Sequence, residues 1–346
     1  MRIGLSGGGT TVDRMIGQAK EAEADGFSSL WYAGATGGDP FIAMAMAGRE
    51  TTSIELGTSV VQTYPVHPVL MANRAAAVVS AMGRPGFTLG IGPSHKPVIE
   101  DAYGMSYEHP GRHTEEYVNV LSPLLRGEGV RFKGEDFRVA SGARAAKPEQ
   151  PVPVLIAALA PRLLRVAGEQ TDGTILWMGN ARSIESHVGP RIRKAAAAAG
   201  RPEPRIVAGL PVAVHDDLEE ARSVAAQQFA NYGVLPNYRR ILDIGGAPGP
   251  ADAAIVGDEA SVTTQIQALF DAGATDVWAA VFPVGNDRSG SRDRSRALLK
   301  ELAAEIPLAW LSAPGAPRPS DYVEYLLGRL EGPRRFVEEA ERARRS

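Results

Sequence analysis

Glu55-Leu56-Gly57-Thr58-Ser59-Val60-Val61-Gln62-Thr63-Tyr64-Pro65-Val66-His67-Pro68 packs a strand, a polar loop and a helix start into one run with almost no spare residues. Ile54 to Val61 reads as a buried strand whose end carries the small and hydroxyl side chains Thr58 and Ser59. A loop with Tyr64 and His67 follows, and Val69 to Ala81 has the apolar face of a helix, with Met71, Ala75, Val78 and Val79 for packing. In parallel α/β proteins ligands sit beyond the carboxyl ends of the strands, so this corner is where a site is expected.

The same alternation runs outward in both directions. Upstream lie a strand at Arg2 to Ser6, helical spacing from Val12 to Ala22 stopping at Gly26, a strand at Ser28 to Ala33, and a helix from Pro40 to Glu50 behind Asp39. The Ser6-Gly7-Gly8-Gly9-Thr10-Thr11 link lacks the lysine of a phosphate loop and reads as a tight turn. Downstream, strands are expected at Phe87 to Ile91, Val154 to Ala157, Thr174 to Met178, Arg205 to Val214 and Thr275 to Phe282, with helices at Ile184 to Ala199 and Arg292 to Glu305. Eight strands alternating with helices predict a (β/α)8 barrel over 1–307.

Two excursions account for the length beyond a minimal barrel. One holds a helix at Arg112 to Arg126 and a hairpin at Val130 to Val139. The other, His215 to Gly273, holds helical patterns at Leu218 to Asn231 and Ser261 to Ala272, and its Tyr232 and Tyr238 are candidates for a substrate wall or lid. Residues 308–346 read as a Pro/Ala/Gly-rich linker and a helical extension whose stripe is Tyr322, Val323, Leu326, Leu327 and Leu330.

Composition removes several function classes. A net charge of -3 over 346 residues gives no electrostatic footprint for nucleic acid or a membrane surface. With no cysteine there is no disulfide, thiolate nucleophile or cysteine metal site. His109 and His113 are separated by Pro110-Gly111 and lack a third ligand, so no metal is expected. The first strand begins within two residues of Met1 and no apolar run nears a membrane span of roughly 20 residues, which predicts a cytoplasmic protein.

Gly57-Thr58-Ser59-Val60 with Tyr64-Pro65-x-His67-Pro68, then Phe87-Thr88-Leu89-Gly90-Ile91-Gly92 and Ser94-His95, resembles the luciferase-like flavin and deazaflavin oxidoreductases, most of all those dependent on coenzyme F420. The Thr171-Asp172-Gly173 turn belongs to the same likeness. The resemblance implies a bulge with a non-proline cis peptide at Ser59-Val60, on which the tricyclic ring rests. It implies cofactor contacts at Thr58, Ser59, Val60, Gly92, Ser94 and His95, and at Ala157, Ala158, Leu159, Ala160 and Pro161 around the phosphate. It also implies a homodimer and a small-molecule substrate reduced or oxidised by hydride transfer.

One departure matters. Several relatives carry an acid and a histidine just after the second strand, where this chain has Gly34 and Ala35. That leaves His95 as first candidate for a proton donor, then Tyr64 or His67. Trp31, Tyr32 and Trp177 either line the substrate pocket or fill the barrel. A flavin mononucleotide monooxygenase and a flavin-binding barrel without turnover are the alternative readings.

Overall fold

Eight parallel strands close on themselves: β1 (Ile3–Gly7), β2 (Ser29–Tyr32), β3 (Glu55–Thr58), β4 (Phe87–Gly92), β5 (Val154–Ile156), β6 (Gly173–Trp177), β7 (Arg205–Val214) and β8 (Asp276–Val281). The computed structural model describes residues 1–34, 39–142, 148 and 150–304. Each strand pairs with the next in sequence, and β8 returns to β1 through Ile3↔Val277, Gly4↔Trp278 and Leu5↔Ala279. The architecture is a (β/α)8 barrel. Ala35 and the expected C-terminal extension lie outside the described residues.

The third strand departs from the expected unbroken run. β3 stops at Thr58 and pairing resumes in the short strand Val61–Gln62. Before the break Gly57 faces Thr88, and after it Val61 faces Ile91, so three residues of one strand oppose two of the other. That one-residue excess is a β-bulge, and its peptide Ser59–Val60 is cis.

Helices differ from expectation where proline or local caps intervene. The single helix expected at Ile184 to Ala199 divides into a wide turn, Ile184–Val188, and a helix, Gly189–Ala198. Pro190 has no N–H to give to the preceding turn, which accounts for the wider spacing. The pattern at Leu218 to Asn231 ends at Gln228, followed by a 3₁₀ turn over Ala230–Gly233 and a further helix, Pro236–Ile244. A short parallel strand, Ile255–Gly257, is added alongside β7. The hairpin forms as Val130–Lys133 against Arg138–Ser141.

The amino-terminal end of the barrel is closed by charge. Arg205 donates to Glu55 (2.9 Å) and Asp276 (2.7 Å), and Arg2 donates to the same two carboxylates at 2.6 and 2.7 Å. Thr88 and Thr275 add hydroxyl donors at 2.5 and 2.6 Å. Burial alone pushes Asp276 up, but Arg205 and Arg2 outweigh it and hold the carboxyl below its ordinary range. Above this layer Trp31, Leu155, Ile175, Val207 and Trp278 fill the interior. The stack of side chains ends there, beneath the carboxyl mouth.

Candidate active site

At the carboxyl mouth one cleft, enclosing about 710 Å³ up to its opening, lies between the bulge and the loops after β4, β5 and β6. Ser59, Val60, Gly92, Ser94, His95, Ala157, Leu159, Ala160, Trp177 and Tyr238 all reach it, and no carboxylate, lysine or arginine is among its lining residues. The ligand portion that fits such a lining is uncharged and largely apolar, with its polar atoms met by backbone and by single hydroxyl, amide or imidazole groups.

Thr58 holds the bulge in place. Its hydroxyl donates to the Gly90 carbonyl (2.7 Å) and accepts from the Gly90 amide (2.8 Å), replacing the ladder bonds that the extra residue interrupts. Ser59 and Gly34 amides tie the bulge to the end of β2, donating to Tyr32 O at 2.8 Å and Val60 O at 3.2 Å. A side chain at Gly34 would put its Cβ 3.0 Å from the Val60 carbonyl and 3.2 Å from Val61 Cα. The missing acid after the second strand therefore makes room for the bulge itself. Gly92 plays the matching part on β4, where a Cβ would stand 2.8 Å from Val60 Cγ2 and 3.0 Å from Ala157.

The chain then turns through Ser94, a non-glycine residue at φ 65°. Such a conformation needs support from its surroundings. Tyr107 supplies it by donating to Ser94 O at 2.6 Å, and Gln62 donates to Ser94 Oγ at 3.2 Å. This turn presents His95 to the cleft, its ring 5.3 Å from that of Tyr238. Burial holds His95 below the ordinary imidazole value, so at neutral pH it is an uncharged ring able to accept or relay a proton.

The opposite wall is aromatic. Trp177 stacks on Trp278 with centroids 5.1 Å apart and meets Tyr232 edge-on at 5.6 Å; Tyr232 in turn meets Tyr238 at 5.0 Å. Tyr238 and Asn237 open the helix Pro236–Ile244 and reach the cleft, whereas Tyr232 backs the wall without lining it. On the third side the Ala157–Ala160 loop leads into the helix Pro161–Gln170. Ala158 N donates to Thr174 Oγ1, while the Leu159 and Ala160 amides have no acceptor among the described residues. Free amides at a helix start suit an anionic group.

Thr58, Ala158, Pro161 and Tyr232 border the cleft region without lining it, and four further expected site residues are placed elsewhere. Trp31 and Tyr32 have no exposed surface. Trp31 faces inward below the cleft with its indole N–H on Ser29 Oγ, and Tyr32, on the other face of the strand, donates to Met15 O behind the barrel. His67 caps the helix Pro68–Met82, accepting from Val69 N through Nδ1 at 3.3 Å. Tyr64 stacks flat on His113 at 3.8 Å, and burial first, then the Tyr107 and Asp136 charges, push its phenol above the ordinary range. None of the four lines the cleft. Conversely Pro93, Leu163, Ile175, Leu176, Asn237 and Trp278 line it without having been singled out by sequence. Trp278 alone carried a usable signal, as a tryptophan on an expected barrel strand.

Comparison with known proteins agrees with this geometry. The family model described as luciferase-like monooxygenase matches residues 2–289. The chain is 28% identical over 287 residues to the 5,10-methylenetetrahydromethanopterin reductase of Methanolobus tindarius, covering 82% of this chain and 85% of that protein. It is similar in fold to the coenzyme F420-dependent tetrahydromethanopterin reductase of Methanopyrus kandleri, with a TM-score of 0.68, 20% identity, and coverage of 89% of this chain and 99% of that one. An FMN-bound type II Baeyer–Villiger monooxygenase of Pseudomonas putida aligns with a TM-score of 0.65 at 17% identity over 88% and 97% of the two chains. At such identities these two structures speak for the fold alone. The family match over most of the barrel goes further: the chain belongs to the luciferase-like monooxygenase family.

Proposed function

We propose that this protein transfers a hydride between the deazaflavin coenzyme F420 and an activated C=C, C=N or C=O group of a small organic substrate. The observation that carries the reading is the cleft itself. Its lining carries no charged side chain and joins the Ser59–Val60 bulge to the Leu159–Ala160 loop, whose two amides have no acceptor among the described residues. Those residues fit a flat tricyclic ring with an anionic arm. A relative named as an F420-dependent dehydrogenase supports the choice of cofactor.

When bound, the deazaflavin supplies a two-electron hydride donor or acceptor at a ring carbon. The chain's own residues do the rest. Val60 and Gly92 would bear against the ring, and Trp177, with Tyr238 from the helix Pro236–Ile244, would confine the substrate beside it and exclude water. His95, uncharged in the resting site, handles the proton that accompanies reduction of the substrate. Tyr64 and His67 are not assigned this proton because neither lines the cleft. The homodimer belongs to the same proposal. Ile42 and Met46 on helix Pro40–Glu50 and Leu70 on helix Pro68–Met82 stand 57%, 47% and 48% exposed, a face that a second copy would cover.

The test is turnover with reduced F420 against a panel of enones, imines and ketones, for the native chain and His95→Gln. Oxidation of reduced F420 by at least one class is expected. His95→Gln should keep cofactor affinity and lose about 10²-fold or more in turnover, the range of general acid–base assistance. Oxygen uptake with reduced FMN and no turnover with F420 would replace this reading by a flavin monooxygenase.

A further inference from the structure

Two tryptophans of the barrel interior are provided for differently. Trp31, on β2 below the cleft, donates its indole N–H to Ser29 Oγ at 2.8 Å, two residues back on the same strand face. Trp278, on β8 at the cleft, has Asp276 in the equivalent place, and that carboxylate is taken by Arg2, Arg205 and Thr275 at 2.6 to 2.7 Å. The Trp278 N–H is buried without a hydrogen-bond partner among the described residues. A donor in that position has given up its bond to water for nothing in return, unless a ligand supplies the acceptor.

The backbone is shaped around this indole. Trp177 on β6, Gly209 on β7 and Trp278 lie at one level of the barrel, each paired with the next. A Cβ at Gly209 would stand 2.0 Å from Trp278 Cε2 and 2.3 Å from its Nε1, so only glycine leaves room for the ring. The indole lies across that inward face and stacks on Trp177 with 22° between the ring planes. It is 6% exposed and lines the cleft, and the side chains of Leu155, Ile175 and Val207 packed with it offer no acceptor. Three other buried side-chain atoms lack a partner among the described residues. Thr63 Oγ1 and His113 Nε2 belong to the Tyr64–His113 stack, outside the cleft lining. Trp177 Nε1 forms no hydrogen bond, but its ring meets Tyr232 edge-on and the phenol beside it is an acceptor of the protein's own. That leaves Trp278 Nε1.

We propose that the Trp278 N–H receives the carbonyl oxygen of a neutral substrate, an enone or ketone, seated against the Trp177–Trp278 stack. This rests on the hydride-transfer reading above and narrows its substrate. The substrate is uncharged because no Lys, Arg, Asp or Glu lines the cleft, and it bears an acceptor because the donor there is unpaired. The indole keeps its proton throughout. Its hydrogen bond strengthens as negative charge gathers on the carbonyl oxygen, so it assists the reaction as well as binding.

The experiment follows the indole N–H resonances of the isotope-labelled full chain by NMR; there are four tryptophans, and Trp278→Phe identifies its own signal by loss. Phenylalanine keeps an aromatic ring against Trp177 and removes the donor. The probes are cyclohexenone and larger neutral enones, the alkenes that lack their carbonyl, and F420 alone. The enones are expected to move the Trp278 resonance downfield and to leave that of Trp31, already bonded to Ser29, in place. The alkenes should produce no downfield shift. In turnover with reduced F420, Trp278→Phe should lose about tenfold in kcat/KM for enones, the worth of one neutral hydrogen bond, with F420 affinity unchanged. A Trp278 resonance that no enone moves would overturn the proposal, whether or not F420 binds. A downfield shift with F420 alone would give the donor to the cofactor and overturn the substrate assignment. Enone shifts in a chain that neither binds nor turns over F420 would support the carbonyl site and overturn the cofactor reading instead. Should Trp278→Phe fail to fold, the native spectrum decides, its indole signal assigned through the Trp278 backbone amide.

Discussion

The two ends of the barrel solve opposite problems with the same eight strands. At the amino-terminal end Arg2, Arg205, Glu55 and Asp276 meet in pairs of 2.6 to 2.9 Å, every charge is answered, and Asp276 is 1% exposed. At the carboxyl-terminal end the strands stop short, the third gains a bulge, Ser94 turns at φ 65°, and the lining carries no formal charge. One end is finished by its own side chains. The other is shaped for a partner molecule, and its irregular backbone is held by bonds from outside the ladder, such as Thr58 to Gly90 and Tyr107 to Ser94.

If that division holds, damage at the two ends should read out differently. Arg205→Met leaves Asp276 and Glu55 short of a cation in a buried layer. It should cost about 3 to 5 kcal/mol in urea unfolding, with cofactor affinity of the folded fraction unchanged. A coupled loss of affinity would show that the ends are not independent. Thr58→Val removes a hydroxyl bonded to both polar groups of Gly90 and should cost about 1 to 3 kcal/mol. Here cofactor binding should fall as well, because the bulge loses its tether. Stability lost with affinity intact would mean that the bulge does not seat the ring.

The smallest effect is that of pH. Burial, the largest cause for each, holds His95, His113 and His187 below the ordinary value of 6.5. The folded chain therefore keeps these rings neutral where the unfolded chain binds protons, and stability should drop as pH falls through about 6.5 and stay level above it. Thermal unfolding between pH 5 and 8 checks this, and His113→Phe should flatten part of the slope. A midpoint that rises on acidification would reverse the sign and contradict the burial argument.

Much of this was legible in the sequence, for identifiable reasons. The barrel strands are short apolar runs bounded by Gly, Pro or Asp, as at Arg84-Pro85-Gly86 before β4, and their regular recurrence is a local signal. The bulge was legible only through a family likeness, since Thr58 and Ser59 alone look like any strand end. Depth along the barrel was not legible. Trp31 lies below the cleft because it is level with Gly57 on β3 and Ser6 on β1, and that register comes from ring closure. Tyr32 follows on the outer face for the same reason. Ile255–Gly257 is too short to show alternation, and His187 meets the Leu159 loop only because the fold brings two distant segments together.

The measurement that bears most directly on the account is a side-by-side titration of the purified protein with F420 and with FMN, followed by quenching of cofactor fluorescence. The cofactor reading predicts micromolar or tighter binding of F420 and weaker binding of FMN. Tighter binding of FMN would contradict the account and turn the same cleft into a flavin site.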